Sequence, residues 1–383
     1  MNVVFLGCTQ NYSYQFSAAN TKVGFLCCGL NAAGCRTSVI NGVGGMKGQI
    51  KPSNSSSPFI HEIITYPYTD PLLGWIGNMR ILKKDLQRLY IPDDINIVVL
   101  SNAYLYIYNA YVKLAHKLGY KVAVISHEWL PTVKRKYWIQ NLNAKIYAST
   151  FGNKVEAILP ISEYIIKKIE HFNKPYLKTP ILGDFSNEPK IQFSTDESTG
   201  FVYCVYAFYF RVISKILRAY KQYIKLSSAP LPLTLVLSGP EQAIDRIRKE
   251  IQALMLSDRV IIHSKVKYDE LIQMYERANA LIIPLDPDQE QDSARFSQKI
   301  AEYLSSGSPI ISNDVGEIKN YFLHGENIFI AEYTVEGFAT AFKWIESNPI
   351  KARQIGYNGY TLGKKEFNLY SFSKKLISFF EKL

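Results

Sequence analysis

Residues 282–312 read IIPLDPDQEQDSARFSQKIAEYLSSGSPIIS. An apolar strand ends at Pro284 and an acidic loop follows. Ser297 is a candidate N-cap, and helical spacing runs from Gln298 to Ser305, just before Gly307, whose missing Cβ suits a left-handed helix end. A second apolar strand, 309–312, comes directly after. Strand, loop, helix and strand in this order predict a parallel βαβ unit, in which ligands bind at the carboxyl ends of the strands.

The same alternation continues outward. Strands are predicted at 201–207, 233–238, 260–264 and 280–285, alternating with helices at 212–223, 243–256 and 269–278, and a further helix at 335–347. In the first half, strands are predicted at 2–8, 37–43, 95–100, 121–126 and 157–161, with helices at 18–33, 78–90, 103–118, 133–150 and 162–171. Residues 51–58 (KPSNSSSP) read as a polar loop. Near-continuous Val/Ile/Leu strands between helices mean parallel sheets covered on both faces, an α/β fold. The stretch 184–200 carries no apolar period and reads as a break between domains. The expected organisation is an N-terminal domain 1–185, a linker 186–200, a C-terminal domain 201–365 and a last helix 366–383 packing back on the N-terminal domain.

With 383 residues, 47% hydrophobic and 20% charged, the chain has the length of two to three domains and the composition of a globular protein. Its longest apolar run, 201–210, is half of what a bilayer crossing needs. The N-terminus has no basic flank or cleavage site, so no secretory signal is expected. Five cysteines without a CxxC spacing predict a reducing, cytoplasmic setting and no structural zinc. HExxH, GxSxG and Walker A patterns are absent; the glycines of 42–48 run into a Pro/Ser loop and predict a flexible acceptor-side loop.

Charge is uneven: residues 1–190 hold 21 Lys and Arg against 11 Asp and Glu, whereas 191–383 hold 23 against 22. The basic half predicts an anionic partner. Lys134-Arg135-Lys136-Tyr137-Trp138, and the segment 78–90 with Ile81, Leu82, Leu86 and Leu89, suit an anionic membrane surface; the competing reading of 78–90 is a helix packing its apolar face inward. No motif concentrates the charge on a groove-reading element, so no nucleic-acid partner is expected.

Within 282–312, Arg295 precedes the helix and Lys299 opens it. Cations there oppose the helix dipole unless an anion binds, and free N–H groups with two cations suit a diphosphate. The competing reading pairs Lys299 with Glu302 and Arg295 with Asp292 as exposed ion pairs of little worth.

Phe296-x-x-Lys299-x-x-Glu302-Tyr303-Leu304 followed by Gly307-x-Pro309-Ile310-Ile311 resembles the donor-site helix of family 4 glycosyltransferases, retaining enzymes of the GT-B fold with two Rossmann-like domains facing across a cleft. Ser162-Glu163-Tyr164 and Leu237-Ser238-Gly239-Pro240 occupy places that this family also uses. The resemblance implies that Glu302 accepts hydrogen bonds from the nucleotide ribose, with Lys299 and Arg295 near the diphosphate. The family's second Glu, eight positions earlier, is here Ala294, so Asp292 or Ser293 is expected near the donor sugar. Phe296 belongs to the donor-site motif. Arg211 and Lys215, one turn apart, are the expected second cationic pair, but Ala207-Phe208-Tyr209-Phe210 stands where the family has a glycine turn. His127 resembles the family's sugar-contacting histidine, and Glu128 beside it is a candidate general base.

The implied activity is transfer of a hexose from a nucleoside-diphosphate sugar to a glycan or lipid-linked acceptor, by charge stabilisation of the leaving diphosphate, without cofactor or metal. Polysaccharide biosynthesis at the inner face of the membrane is the implied setting. The rival readings are a nucleotide-sugar 2-epimerase and a catalytically silent sugar-nucleotide-binding subunit.

Overall fold

The computed structural model describes residues 1–9, 18–44, 53–69, 75–101, 105–133, 135–189 and 200–383. Most of the expected linker 186–200, residues 45–48 of the glycine loop, and Lys134 lie outside the described residues. The chain divides into two compact units. The first comprises Met1–Leu182, Ala294–Gln298 and Phe367–Leu383; the second comprises Gly183–Ser293 and Lys299–Glu366.

In the first unit the order is β1 (Asn2–Leu6), α1 (Ala18–Ala32), β2 (Arg36–Ile40), β3 (Ser53–Ser57), β4 (Ile60–Thr65), α2 (Trp75–Leu89), β5 (Asn96–Leu100), α3 (Leu105–Lys117), β6 (Lys121–Ser126), α4 (Trp138–Thr150), β7 (Ala157–Pro160) and α5 (Glu163–Ile169). The sheet runs β3-β4-β2-β1-β5-β6-β7, parallel except for β3 at the edge. Central β1 pairs with both neighbours in register, Val3 lying beside Thr37 and Ile97. Val3, Phe5, Ile97, Val99, Ala123 and Ile125 form the sheet side of one core.

Two elements correct the sequence reading here. Residues 53–57, expected in a polar loop, form the antiparallel edge strand, and Ile60–Thr65 forms a strand that the sequence pattern had not shown. An edge position asks little of a strand's own propensity; pairing with β4, whose Ile60, Ile63 and Ile64 are buried, supplies the order. Helix α2 buries Leu82, Leu86 and Leu89, so the apolar face of 78–90 lies in the core and is not offered to a membrane.

The second unit follows with β8 (Phe201–Tyr206), α6 (Phe210–Leu226), β9 (Leu233–Ser238), α7 (Glu241–Ala253), β10 (Val260–Ser264), α8 (Tyr268–Glu276), β11 (Ala280–Ile283), α9 (Glu290–Ala294), α10 (Lys299–Ser305), β12 (Ile310–Ser312), α11 (Ile318–Tyr321), β13 (Phe329–Ile330), α12 (Val335–Ser347) and α13 (Pro349–Glu366); α14 (Leu369–Phe380) rejoins the first unit. Its sheet is parallel throughout, ordered β10-β9-β8-β11-β12-β13. Phe201, Leu235, Ile282, Tyr220, Tyr223 and Phe342 anchor its core. The two-residue β13 and the helices α11, α13 and α9, the last within the expected acidic loop, went unpredicted; α13 contains three glycines and a weak apolar stripe, and its buried Gly356 and Gly359 mark close approach rather than a break.

Helix α14 packs on α1 through a glycine. A Cβ at Gly29 would fall 2.2 Å from Ser373 Oγ and 2.6 Å from the Leu369 carbonyl oxygen. The backbone oxygen cannot rotate away, so a methyl group there must push the helices apart. Gly29→Ala should therefore destabilise the chain by about 1–3 kcal/mol, measured by denaturant unfolding; an unshifted midpoint would contradict this packing.

Candidate functional site

Parallel strands deliver their following loops to the carboxyl edge of the sheet, and in the second unit that edge gathers charge. After β11 the chain passes through Leu285, Asp286 and Asp288. Asn313, just past β12, clamps Leu285 from both sides: its Oδ1 accepts from the Leu285 N–H at 2.8 Å and its Nδ2 donates to the Leu285 carbonyl at 2.8 Å. Asp292 Oδ2 accepts from the Asp286 N–H at 2.7 Å, and Asp286 Oδ1 accepts from the Asp288 N–H at 3.2 Å. Asp286 and Asp292 are both buried.

Arg211, in the first turn of α6, faces these acids. Its Nη2 donates to Asp288 Oδ2 at 2.8 Å and its Nε lies 3.4 Å from Asp286 Oδ2. The Asp286 charge, then the Asp288 hydrogen bond, hold its pKa above the ordinary value. Lys215 Nζ, one turn on, donates to the Tyr333 carbonyl at 2.9 Å and sits 3.7 Å from the centre of the Tyr333 ring. Tyr333 Oη is buried without a hydrogen-bond partner among the described residues. The Arg211–Asp288 pair is exposed on both sides, and such pairs contribute little to stability.

Helix α10 starts at Lys299, one residue later than expected; Gln298 precedes it as a turn residue, which leaves Ser297 outside the N-cap position. Tyr303 and Leu304 anchor the helix in the core. The Tyr303 ring packs edge-on against Tyr275 at 4.8 Å and its Oη accepts from the Cys204 N–H at 3.2 Å. Gly307 closes the helix with φ +71°, and a side chain there would strike Pro189. This anchoring holds Glu302 at 6% exposure. Burial pushes its carboxyl up to about 7, with the charge of Lys299 acting the other way. Burial, then the charge of Glu302, also pushes the Tyr268 phenol up. Ser293 is half-buried, with its backbone against Gly316, which has φ +61°.

Arg295 and Phe296, read from the sequence together with Lys299 and Glu302, belong to the first unit. There Phe296 is buried edge-on against Phe367 at 5.6 Å. Ser162 joins this segment to its own unit: its hydroxyl donates to the Ala294 carbonyl at 2.6 Å and accepts from the Ile165 N–H at 3.3 Å as the N-cap of α5. At the carboxyl end of β6, His127 Nε2 is buried without a hydrogen-bond partner among the described residues, and Ser126 Oγ donates to the Glu128 carbonyl at 3.4 Å.

Sequence reading missed Asp286, Tyr333 and Lys22. Lys22, on α1, is 2% exposed and donates to the Thr179 carbonyl at 2.8 Å. Burial lowers its pKa to about 7; burial, then the Lys22 charge, hold His127 well below the ordinary imidazole range, so the ring is neutral at pH 7. The signal for Lys22 was present: it shares the helical stripe of Leu26 and Leu30, where a lysine is out of place. Among the described residues, no three His, Cys, Asp or Glu side chains converge as metal ligands, and no helix is long and apolar enough to cross a membrane.

Residues 211–362 match the family described as glycosyl transferases group 1. No curated protein sequence matches the chain. Among solved structures, sucrose-phosphate synthase of Thermosynechococcus elongatus is similar at a TM-score of 0.78 and 15% identity, covering 100% of this chain and 98% of that one. Anabaena Alr3699/HepE in complex with UDP gives a TM-score of 0.69 at 12% identity, with all of both chains covered. The E. coli structure titled trehalose-6-phosphate, bound with UDP-2-fluoro glucose, gives 0.69 at 10% identity over 100% of this chain and 99% of that one. Likeness at these identities shows the fold, and it is GT-B, two Rossmann-like domains each built on a mainly parallel sheet.

The burial of Glu302 has a thermodynamic sign. Its carboxyl holds a proton more tightly folded than unfolded, where the ordinary value is 4.5. Stability is therefore lost as pH rises from about 4.5 through about 7, by on the order of 3 kcal/mol. Glu302→Gln should flatten the decline in Tm between pH 5 and 8, read by calorimetry without ligand. Parallel Tm curves for the two proteins would mean that the carboxyl is not buried as described.

Proposed function

We propose that this chain is a family 4 glycosyltransferase that moves a hexose, with retention, from a nucleoside-diphosphate sugar to a glycan or lipid-linked acceptor. One observation carries the reading: a buried carboxyl group, Glu302, lies one turn after Lys299 on a helix inside the segment that matches glycosyl transferases group 1. A carboxylate accepts two O–H donors at once, which is what a ribose diol offers. Neighbours of the same fold whose titles name UDP or a UDP-sugar support a uridine nucleotide as the first donor to try.

In this reading, Lys299, Arg211 and Lys215 take the diphosphate, Arg211 exchanging its exposed bond to Asp288 for a phosphate oxygen. Arg295 and Phe296 complete the donor motif, and Asp292 or Ser293 attends the sugar in the absence of a glutamate at 294. His127, neutral at pH 7, contacts the sugar as a hydrogen-bonding group, with Glu128 as candidate base. Catalysis comes from cations aimed at charge developing on the departing diphosphate, which needs no metal. The setting is cytoplasmic, at the inner face of the membrane, in polysaccharide assembly.

The reading of a silent sugar-nucleotide-binding subunit is favoured by the pairing of Arg211 with Asp286 and Asp288, and product formation separates it from an enzyme. A product made from donor alone, without acceptor, would instead indicate a 2-epimerase.

Glu302→Gln should weaken binding of a nucleotide sugar by calorimetry roughly tenfold to a hundredfold, since a hydrogen bond to a charged group contributes about 1.5–3 kcal/mol; unchanged affinity would sink the assignment. Lys299→Ala should lower turnover more than EDTA does. Transfer abolished by chelation and restored by magnesium or manganese would overturn the account of charge stabilisation.

A further inference from the structure

Helix α4 is apolar on two opposite faces. Its inner face buries Ala144, Tyr147 and Ala148, with Tyr147 stacked on Phe151 and edge-on to Tyr108. Its outer face exposes Trp138 at 74%, Ile139 at 60%, Leu142 at 45% and Ile146 at 42%. At 3.6 residues per turn these four side chains fall within an arc of roughly 100°. Isolated exposed apolar side chains are ordinary, but a contiguous stripe with a tryptophan at its end marks an interaction surface.

Charge decides what covers it. From residue 95 to residue 155 the sequence holds eight Lys and Arg, and Glu128 is its one acidic residue. Lys136 is exposed beside the stripe, its Nζ 5.4 Å from the Tyr137 ring centre, and Lys145 is exposed next to Ile146. A second copy of this chain would set the same basic segment against itself. An anionic bilayer reverses that sign: apolar side chains enter the headgroup boundary, tryptophan sits at the interface, and the lysines reach the lipid phosphates.

We propose that the outer face of α4 is a docking surface for anionic lipid bilayer, seating Trp138, Ile139, Leu142 and Ile146 at the boundary between headgroups and acyl chains. Docking would bring the protein to a lipid-linked acceptor, and that consequence alone rests on the function proposed above. The surface takes in Lys136 and Trp138 of the basic cluster read from the sequence and extends it along α4; the other segment read that way, 78–90, buries Leu82, Leu86 and Leu89.

The test uses the full chain and vesicles of phosphatidylcholine with or without phosphatidylglycerol, in flotation and in tryptophan fluorescence. The wild-type chain should prefer the anionic vesicles, with binding that weakens as salt rises, and a blue shift that Trp138→Phe removes. Trp138→Gln/Leu142→Gln/Ile146→Gln should bind at least about tenfold more weakly, since three apolar side chains no longer leave water. Lys136→Gln/Lys145→Gln, which leaves the inner face untouched, should lose the anionic preference and serves if the triple variant misfolds. Equal vesicle binding by the wild-type and variant chains would overturn the proposal, as would no preference for anionic lipid, or a dimer dissolved by the triple variant at unchanged vesicle affinity. Vesicle binding through α4 by a chain that binds no UDP-glucose would uphold docking while removing the enzymatic reading.

Discussion

A carboxyl group kept out of water at neutral pH weakens the fold that holds it, and Glu302 is such a group. It stays buried because its neighbours Tyr303 and Leu304 are core residues and because Gly307 lets the helix end against Pro189. The resulting value of about 7 leaves the carboxyl half-ionised where the protein would work. A ligand that donates hydroxyl hydrogens to it recovers the lost hydration, and the position makes physical sense as a site that a ligand completes. The acids after β11 follow a different rule: Asp286 and Asp292 are buried, yet each carboxylate accepts a backbone N–H, so their burial is compensated within the unit.

The first unit buries two further titratable groups, Lys22 and the imidazole Nε2 of His127. Lys22 donates to the Thr179 carbonyl and lowers the basicity of His127, whose Nε2 has no hydrogen-bond partner among the described residues. Burial and like charge act in the same direction on the imidazole, and together they fix it as a neutral hydrogen-bonding group rather than a cation. The lysine thus acts on His127 through its charge, from the stripe of α1 that otherwise holds apolar side chains.

Much of the fold was legible because buried parallel strands are nearly continuous runs of Val, Ile and Leu, and such runs need no context to be seen. What escaped had no such run. Ser53–Ser57 is ordered by its partner strand, Phe329–Ile330 is two residues long, and α13 is built on glycines that pack rather than break. Of the candidate site, the residues on α10 and α6 were legible from helical spacing and charge sign. Asp286 and Tyr333 were not, since their meeting with Arg211 and Lys215 spans more than seventy residues of sequence. The segment 294–298 reads as one with α10 in sequence, while its contacts, from Ser162 to Ala294 and from Phe296 to Phe367, assign it to the first unit.

The central claim is that Glu302 ionises to accept the nucleotide. Calorimetry of UDP binding at pH 7 in buffers of different ionisation enthalpy measures the protons released. With a carboxyl at about 7, the wild-type chain should release about half a proton per nucleotide more than Glu302→Gln. Equal release by the two proteins would contradict the account.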